Sequence, residues 1–159
     1  YNGTCYLRLG RGGEKRIHEK IDNFQIGRAI KVKNGEKIAI FSTGAIFEEI
    51  EEAISLLKEN NIDPAAYTFP TVKPLDLDVI KECTENYDLI VTVEEHNIVG
   101  GFGSAVAEVM AESPQKARLL KIGLEDTYSS KVGSQKYLRS EFQIDAKGIV
   151  EKIRETLNG

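Results

Sequence analysis

Two glutamates and a histidine stand directly before a glycine-rich turn near the middle of the chain. The stretch from Val91 to Met110 reads VTVEEHNIVGGFGSAVAEVM. A histidine beside a carboxylate can be oriented by it and can exchange a proton near neutral pH, so His96 and Glu95 are a candidate acid/base pair. No nucleophile accompanies them, and the other histidine, His18, lies far away in the sequence. No residues show metal-ligand spacing, so no metal site is predicted.

The turn that follows contains Gly100, Gly101, Gly103 and Ser104, between a strand-like run and an apolar helical pattern. The first N–H groups of a helix are unpaired and lie at the positive end of its dipole, so an anion could bind there. The spacing matches neither common nucleotide loop, because no lysine follows the glycines and the third glycine of a dinucleotide fingerprint is absent. The alternative is a structural turn in which helix and strand approach too closely for a Cβ atom.

Alternating strand and helix patterns surround this turn and would have to hold it in place. Strands are predicted in the two halves of GRAIKVKNGEKIAIFSTG and in PAAYTFPT, YDLIVTVEE and ARLLKIGL. Helices are predicted in AIFEEIEEAISLLKEN, VKPLDLDVIKECTENY, GSAVAEVMAES, SQKYLRSEF and DAKGIVEKIRETL. This alternation predicts an α/β fold. We expect a three-layer α/β/α sandwich around a mostly parallel sheet of about five strands, with one antiparallel strand.

Short-range signals add detail to this outline. The dipeptide Asn34-Gly35 between two apolar runs predicts a β-hairpin, whose first strand is antiparallel to its second. Residues 4–9 alternate between apolar and polar side chains and predict a further short strand. Asp76 and Asp145 stand where an N-cap is needed, before the second and the last predicted helix.

The first helical pattern separates an apolar face from an acidic one. Its apolar residues recur at helical spacing and predict a buried face made of Ile46, Ile50, Ala53, Ile54 and Leu57. Its carboxylates lie in the first half of the helix, where the dipole favours negative charge. We interpret them as a solvated face and not as catalytic pairs; they are Glu48, Glu49, Glu51 and Glu52.

The composition is that of an ordinary globular domain. The chain has 159 residues and a mass of 17.7 kDa, a length at which a single core is typical. A net charge of −4 without a basic cluster argues against a nucleic-acid partner, and no apolar run reaches the ~20 residues that span a bilayer. Cys5 and Cys83 are interpreted as reduced thiols of a cytoplasmic protein. Because the chain begins at Tyr1 without a methionine, we expect a piece of a longer polypeptide.

Three separated motifs resemble one enzyme family and occur in its order. They are IAIFSTGAIFEEIEEAISLLKENNI, then TVKPLD, then TVEEHNIVGGFGSAVAE with KIGLEDTYSSKVGSQKYL after it. Together they resemble the C-terminal domain of the thiamine-diphosphate-dependent transketolase family, above all the C-terminal subunit of transketolases made as two chains. They are also similar to the last domain of 1-deoxyxylulose-5-phosphate synthase, although TVKPLD and EEH favour transketolase.

The resemblance divides the chain into three parts. The opening YLRLGRGG resembles the final strand of the pyrimidine-binding domain, so residues 1–13 are interpreted as the tail of that domain, 14–23 as a linker and 24–159 as the transketolase C-terminal domain. In the family, a Gly-Asp-Gly…Asn motif holds Mg²⁺ and the diphosphate, and this sequence contains none. The resemblance thus implies that thiamine diphosphate and Mg²⁺ belong to the parent enzyme, and that this fragment binds no cofactor, carries no catalytic residue and is inactive alone.

The resemblance also implies a substrate contact near the start of the chain. In the family, an arginine at the end of the last pyrimidine-domain strand binds the sugar phosphate, and it matches Arg11, with Arg8 as a second candidate. A guanidinium suits this role because it stays charged and forks onto phosphate oxygens. The alternative is two solvated charges. The family's C-terminal domain mostly builds the dimer and holds the other domains, which lowers the expectation that His96 is catalytic.

The sequence therefore predicts the C-terminal part of a transketolase, which transfers a two-carbon ketol unit between sugar phosphates. Its expected partners are the upstream domains or an N-terminal subunit, and the expected parent is a homodimer. The synthase is the alternative within the family. The alternative from another class is a non-catalytic module for dimerisation or anion sensing, with the turn from Gly100 to Ser104 as the anion site. No nucleic-acid or membrane partner is expected.

Overall fold

A five-stranded mixed sheet forms the centre of the computed structural model, which describes residues 2–10, 13, 15–18, 21, 24–114 and 116–159. Its strands are β1 (Ile30–Lys33), β2 (Ile38–Ser42), β3 (Ala65–Thr68), β4 (Leu89–Asn97) and β5 (Arg118–Leu124). Their spatial order is β1-β3-β2-β4-β5. β1 pairs with β3 in the antiparallel sense, and all other neighbours are parallel. The predicted sheet, mostly parallel with one antiparallel strand, is confirmed.

Helices cover both faces of the sheet, as predicted. They are α1 (Phe47–Glu59), which follows a 3-10 turn at Gly44–Ile46, α2 (Leu77–Asn86), α3 (Phe102–Ala111), α4 (Gln135–Glu141) and α5 (Ala146–Asn158). α1 and α5 enclose one apolar cluster with alternate residues of the central strands, and we call this side the α1 face. α2 and α3 enclose the other cluster, on the side we call the α3 face.

The central strands are buried on both faces, which explains why they read as continuous apolar runs. All five residues of β2 and the first six of β4 are buried. Alternate side chains serve opposite layers, so Ile90 packs towards the α3 face while Val91 packs towards the α1 face. Residues at the end of β4 must follow the same alternation, and this decides where its two glutamates point.

The local predictions for the helices are confirmed. The predicted apolar stripe of α1 is buried in the core. The side chain of Asp76 accepts a hydrogen bond from the N–H of Val79 at the start of α2. The side chain of Asp145 accepts one from the N–H of Gly148 at the start of α5. Each cap acts within three residues of its own position, which is why the sequence alone suffices to find it.

The predicted hairpin at Asn34-Gly35 is wrong, although both of its strands exist and run in opposite directions, as predicted. β3 inserts between β1 and β2, so the two consecutive strands are not hydrogen-bonded to each other. The connection instead runs beside the start of β3, where the N–H of Glu36 donates to the carbonyl of Asp63 at 2.8 Å. The backbone at Gly35 lies so close to Pro64 that an added Cβ would overlap it. The glycine therefore serves a close backbone crossing and not a hairpin turn.

The predicted strand over residues 4–9 is also wrong. This segment belongs to no helix or strand, and its side chains are exposed. A lone extended segment cannot hold strand structure, because each of its backbone groups needs a partner on a neighbouring strand. Among the described residues, no helix has both the length and the apolarity needed to cross a bilayer.

Candidate functional site at the end of strand β4

The carboxylate of Glu94 caps the helix that follows the glycine turn. It is 1% exposed, and its oxygens accept from the N–H groups of Phe102 at 2.7 Å and Gly103 at 2.8 Å. The residue at the N-cap position, Gly101, has no side chain that could do this. A negative charge is favourable at this end of the helix dipole. Glu94 is thus the anion that the start of α3 binds in this structure.

The other polar groups of the turn also bond within it. The N–H groups of Ser104 and Ala105 donate to the carbonyl of Gly101. The Ser104 hydroxyl donates to the carbonyl of Ile98 at 2.8 Å and accepts from the N–H of Gly100 at 3.1 Å. An external anion would therefore have to displace Glu94. This geometry favours the structural interpretation of the turn, and an anion site at Gly100, Gly101, Gly103 and Ser104 stays a prediction.

Two of the turn's glycines allow helix α3 to approach the sheet. A Cβ on Gly101 would overlap the Glu94 carboxylate and the carbonyl oxygen of Asn97. A Cβ on Gly103 would lie 2.5 Å from the hydroxyl of Thr92 on β4. Glycine is favoured at position 100 for a different reason: Gly100 has a left-handed φ of 71°, and there is open space around it. The close contact expected from the sequence is thus present.

Glu95 points to the opposite face and binds a buried arginine. Its Oε1 accepts from Nε of Arg139 at 2.7 Å and from the side-chain amide of Gln135 at 2.8 Å, both on α4. Arg139 is 3% exposed, and it also forms ion pairs with Glu48 and with Glu49, the latter at 3.1 Å. We call Arg139 and these three glutamates the Arg139 cluster.

The charge of Arg139 is stabilised by its surroundings. Burial opposes the charged form, but the hydrogen bonds to Glu95 and Glu48 outweigh it and raise the pKa of Arg139 above its ordinary value. A buried guanidinium is favourable only when it is paired and hydrogen-bonded in this way. The cluster therefore fastens α4 to β4 and to the start of α1.

The interpretation of the α1 glutamates as a solvated face is wrong for Glu49, whereas Glu48 is exposed, as predicted, although it too pairs with Arg139. Glu48 and Glu49 both pair with Arg139, and the side chain of Glu49 is only 12% exposed. Glu49 also accepts from the N–H of Ala146, the first residue of α5. These contacts join residues about ninety positions apart, so helical spacing within α1 could not indicate them. Glu52 is exposed, as predicted.

The structure does not bring His96 and Glu95 together. The Nδ1 atom of exposed His96 lies 3.1 Å from the carbonyl oxygen of Asn97, whereas the Glu95 carboxylate bonds to α4. Adjacent strand residues point to opposite sides, which separates the two groups. In the part of the chain described, no three His, Cys, Asp or Glu side chains are grouped to hold a metal ion. An acid/base role for this pair stays a prediction without geometric support.

The structure describes only one of the two arginines proposed to bind phosphate. Arg11 lies outside the described residues. Arg8 is exposed in the segment that forms no strand. Sequence reasoning also missed the capping role of Glu94 and the ion pairs of Arg139. Glu94 left a signal, because an apolar strand that ends in two glutamates must send one to each face; Arg139 left none, since its partners lie in distant elements.

The TVKPLD motif ties down the chain where it enters the domain. The hydroxyl of Thr71 accepts from the N–H of Gly27 at 2.8 Å, and the ring of Pro74 lies against Gly27. The buried carboxylate of Asp76 accepts from the N–H of Ala29 at 2.8 Å and pairs with Arg28. The motif therefore has a structural role that its position in the sequence does not reveal.

The family is decided by a match that covers most of the chain. The model of the family described as transketolase, C-terminal domain, matches residues 27–149. The chain belongs to this family. Glu94, the Arg139 cluster and the TVKPLD contacts all lie inside the matched region, so they describe how this transketolase C-terminal domain is built.

Two curated relatives align along nearly the whole chain. A Methanocaldococcus jannaschii protein named "Putative transketolase C-terminal section" is 35% identical over 162 residues, which cover 99% of this chain and 49% of the relative. The 1-deoxy-D-xylulose-5-phosphate synthase of Photobacterium profundum is 40% identical over 157 residues, which cover 98% of this chain and 24% of the synthase. The chain thus spans about half of the first relative and a quarter of the second.

Solved structures agree with this assignment. A chain titled as a split gene transketolase, inactive beta4 tetramer, superposes with a TM-score of 0.84 at 26% identity, covering 93% of this chain and 48% of that one. The transketolase of Campylobacter jejuni superposes with a TM-score of 0.60 at 14% identity, covering 87% of this chain and 20% of that one. The second likeness concerns the fold alone.

Proposed function

We propose that this chain is the C-terminal part of a transketolase, which transfers a two-carbon ketol unit from a ketose phosphate to an aldose phosphate. The observation that carries the proposal is the alignment of 99% of the chain with half of a transketolase C-terminal section. The TM-score of 0.84 to a split gene transketolase supports it. In this proposal residues 24–159 form the domain, 14–23 the linker and 1–13 the tail of the preceding domain.

Thiamine diphosphate and Mg²⁺ would be bound by other parts of the parent. Two observations on the described residues support this: no three His, Cys, Asp or Glu side chains are grouped to hold a metal ion, and the N–H groups at the start of α3 bond to Glu94. We propose that upstream domains or an N-terminal subunit supply the cofactor site, and that this chain alone does not turn over substrate. A cytoplasmic homodimer is part of the same proposal.

An enzyme assay on the parent tests the reaction. With thiamine diphosphate, Mg²⁺, xylulose 5-phosphate and ribose 5-phosphate, the parent should form sedoheptulose 7-phosphate, and this chain alone should form none. The 40% identity to a 1-deoxy-D-xylulose-5-phosphate synthase keeps that enzyme as a second candidate. Release of carbon dioxide from pyruvate and glyceraldehyde 3-phosphate, without the seven-carbon product, would replace the proposal with the synthase.

Arg11 is the residue we propose to bind the substrate phosphate, with Arg8 as the second candidate. Arg11→Ala in the parent should raise KM for phosphorylated acceptors and leave KM for unphosphorylated acceptors unchanged. The reason is that the guanidinium binds the phosphate group, which unphosphorylated acceptors lack. Arg8→Ala, measured in the same way, tells which of the two arginines makes the contact. An equal effect of Arg11→Ala on both kinds of acceptor would contradict the phosphate contact.

Calorimetry of this chain tests the non-catalytic alternative. Inorganic phosphate and sugar phosphates should give no saturable heat, because the N–H groups at the start of α3 already bond to Glu94. Saturable binding that Gly101→Val abolishes without loss of fold would favour an anion-sensing module.

A further inference from the structure

The predicted linker is in contact with the domain through at least three of its described residues. Nζ of Lys15 pairs with the Glu51 carboxylate on α1 at 2.6 Å. Ile17 packs against the apolar cluster of the α1 face. Nε2 of His18 lies 3.2 Å from the hydroxyl of Thr68, the last residue of β3. An ion pair, an apolar contact and a hydrogen bond thus occur within one short segment, residues 15–18, which we call the docking segment.

A second attachment lies a few residues further along, on the other side of the sheet. Ala29 packs against the cluster of the α3 face, and its N–H donates to Asp76. Ile30, the first residue of β1, is the register partner of Thr68. Both attachments therefore flank the carboxyl end of β3: the docking segment lies on the α1 face and Ala29 on the α3 face.

The residues before the docking segment behave differently. The described positions from 2 to 10 are exposed and belong to no strand or helix. Leu7 and Leu9 are both largely exposed, whereas Ile17 is half-buried against the core. Among the residues that the structure describes, burial against the domain thus begins at the docking segment, while positions 2–10 and 13 are exposed.

We propose that the docking segment is a clamp which fixes where the preceding part of the chain leaves the domain. Its occupied surface is the strip formed by Glu51 on α1, the edge of the α1-face core and Thr68. A linker docked on the α1 face, followed by a chain that is fixed on the α3 face from Ala29 onward, cannot act as a free hinge, since its rotation would break the contacts of the docking segment. Whatever precedes residue 15 would leave from the α1 face. This inference does not depend on which reaction the parent catalyses.

Limited trypsin digestion of the 159-residue chain tests the clamp. The Arg16–Ile17 bond lies inside the docking segment, and the Arg8–Leu9 bond lies in the exposed region. Cleavage of the Arg8–Leu9 bond is therefore an internal reference for cleavage of the Arg16–Ile17 bond. A synthetic peptide of residues 1–23 gives the intrinsic ratio of the two cleavage rates. In the folded chain the Arg16–Ile17 bond should be cut at least about tenfold more slowly than this ratio predicts, because a docked segment must detach before cleavage.

Variants test docking when each rate is divided by that of a peptide of residues 1–23 with the same substitution, because Lys15 and Ile17 flank the cleaved bond and affect its intrinsic rate. Ile17→Ala removes the apolar contact and should speed cleavage after Arg16 about fivefold. Glu51→Lys should speed it about twofold, and the charge swap Lys15→Glu with Glu51→Lys should restore the original rate. Cleavage of Arg16–Ile17 at the rate set by the peptide, or an unchanged rate in Ile17→Ala, would overturn the clamp.

Discussion

Glu94 and Glu95 are neighbours in the sequence, yet they belong to different parts of the molecule. Glu94 points to the α3 face, is 1% exposed, and is held by backbone N–H groups. Glu95 points to the α1 face, has a side chain that is 23% exposed, and is held by Arg139 and Gln135. The strand separates the two carboxylates by sending successive side chains to opposite layers.

The difference shows two ways to keep a carboxylate at the end of a buried strand. At Glu94 the compensating groups are backbone dipoles of one helix, reached only because Gly101 and Gly103 lack side chains. At Glu95 the compensating group is a full charge on another helix, shared with Glu48 and Glu49. The first arrangement has no substitute if the glutamate is lost, whereas the second leaves Arg139 with two other partners. We therefore expect the two positions to differ in their tolerance of substitution.

Loss of the Glu94 carboxylate should have the largest effect. In Glu94→Ala the buried N–H groups of Phe102 and Gly103 lose their acceptor, which should lower the free energy of unfolding by about 3–5 kcal/mol. Urea unfolding followed by circular dichroism measures this, with Glu94→Gln as the control because its amide oxygen keeps one acceptor. A loss below about 1 kcal/mol would contradict the capping role.

A methyl group in the turn should have the next largest effect. Gly101→Ala places a Cβ against the Glu94 carboxylate and the Asn97 carbonyl, so the free energy of unfolding should fall by about 2–3 kcal/mol. Gly100→Ala is the matched control, since it meets no atom and bears only the cost of a left-handed residue, about 1 kcal/mol. Equal losses in both variants would mean that close approach of helix and strand does not matter.

The same amide substitution should cost less at Glu95 than at Glu94. Glu95→Gln keeps an oxygen facing Arg139, and Glu48 and Glu49 still neutralise the guanidinium, so the loss should be about 1 kcal/mol. The measurement is the difference in urea midpoint between Glu94→Gln and Glu95→Gln at equal m-value. A greater loss at Glu95 would reverse the comparison.

Labelling of Cys83 tests whether the two faces respond separately. Burial raises the pKa of this thiol on the α3 face to about 11, so it should react slowly at pH 8 while exposed Cys5 reacts fast. Glu94→Ala should speed the labelling of Cys83, and Glu95→Gln should leave it unchanged. Faster labelling in Glu95→Gln would show that the faces are coupled.

The raised pKa of Cys83 also makes stability depend on pH. Because the folded thiol holds its proton more tightly than an unfolded one, the free energy of unfolding should fall as the pH rises from 9.0 towards 11.

The sequence was most informative where the deciding interaction is local. The caps at Asp76 and Asp145 and the apolar stripe of α1 all follow from residues a few positions apart. The hairpin at Asn34-Gly35 failed because strand pairing is a long-range choice, and β3 competes for the same edge of β2. The Asn-Gly dipeptide does mark a position that requires glycine, since the backbone at Gly35 makes a close crossing. It does not indicate which strand pairs with β1.

The candidate site was predicted only in part for the same reason. The glycines were expected to permit close packing, and they do. The candidate pairing of Glu95 with His96 used sequence adjacency, whereas a strand places adjacent residues on opposite sides. Arg139 lies 44 positions from Glu95, so no local rule could link them.

The sequence alone was sufficient for the helical faces, the caps, the alternation of strands and helices, and the motifs that identify the family. These properties depend on periodicity and on short-range hydrogen bonds, which do not depend on the rest of the fold. The three-dimensional structure was needed for the strand order, the capping of α3 by Glu94 and the pairing of Arg139 with Glu95. Those contacts form because folding brings separate elements to one end of the sheet. A buried charge is stable only where the fold places compensating charges or hydrogen-bonding groups beside it.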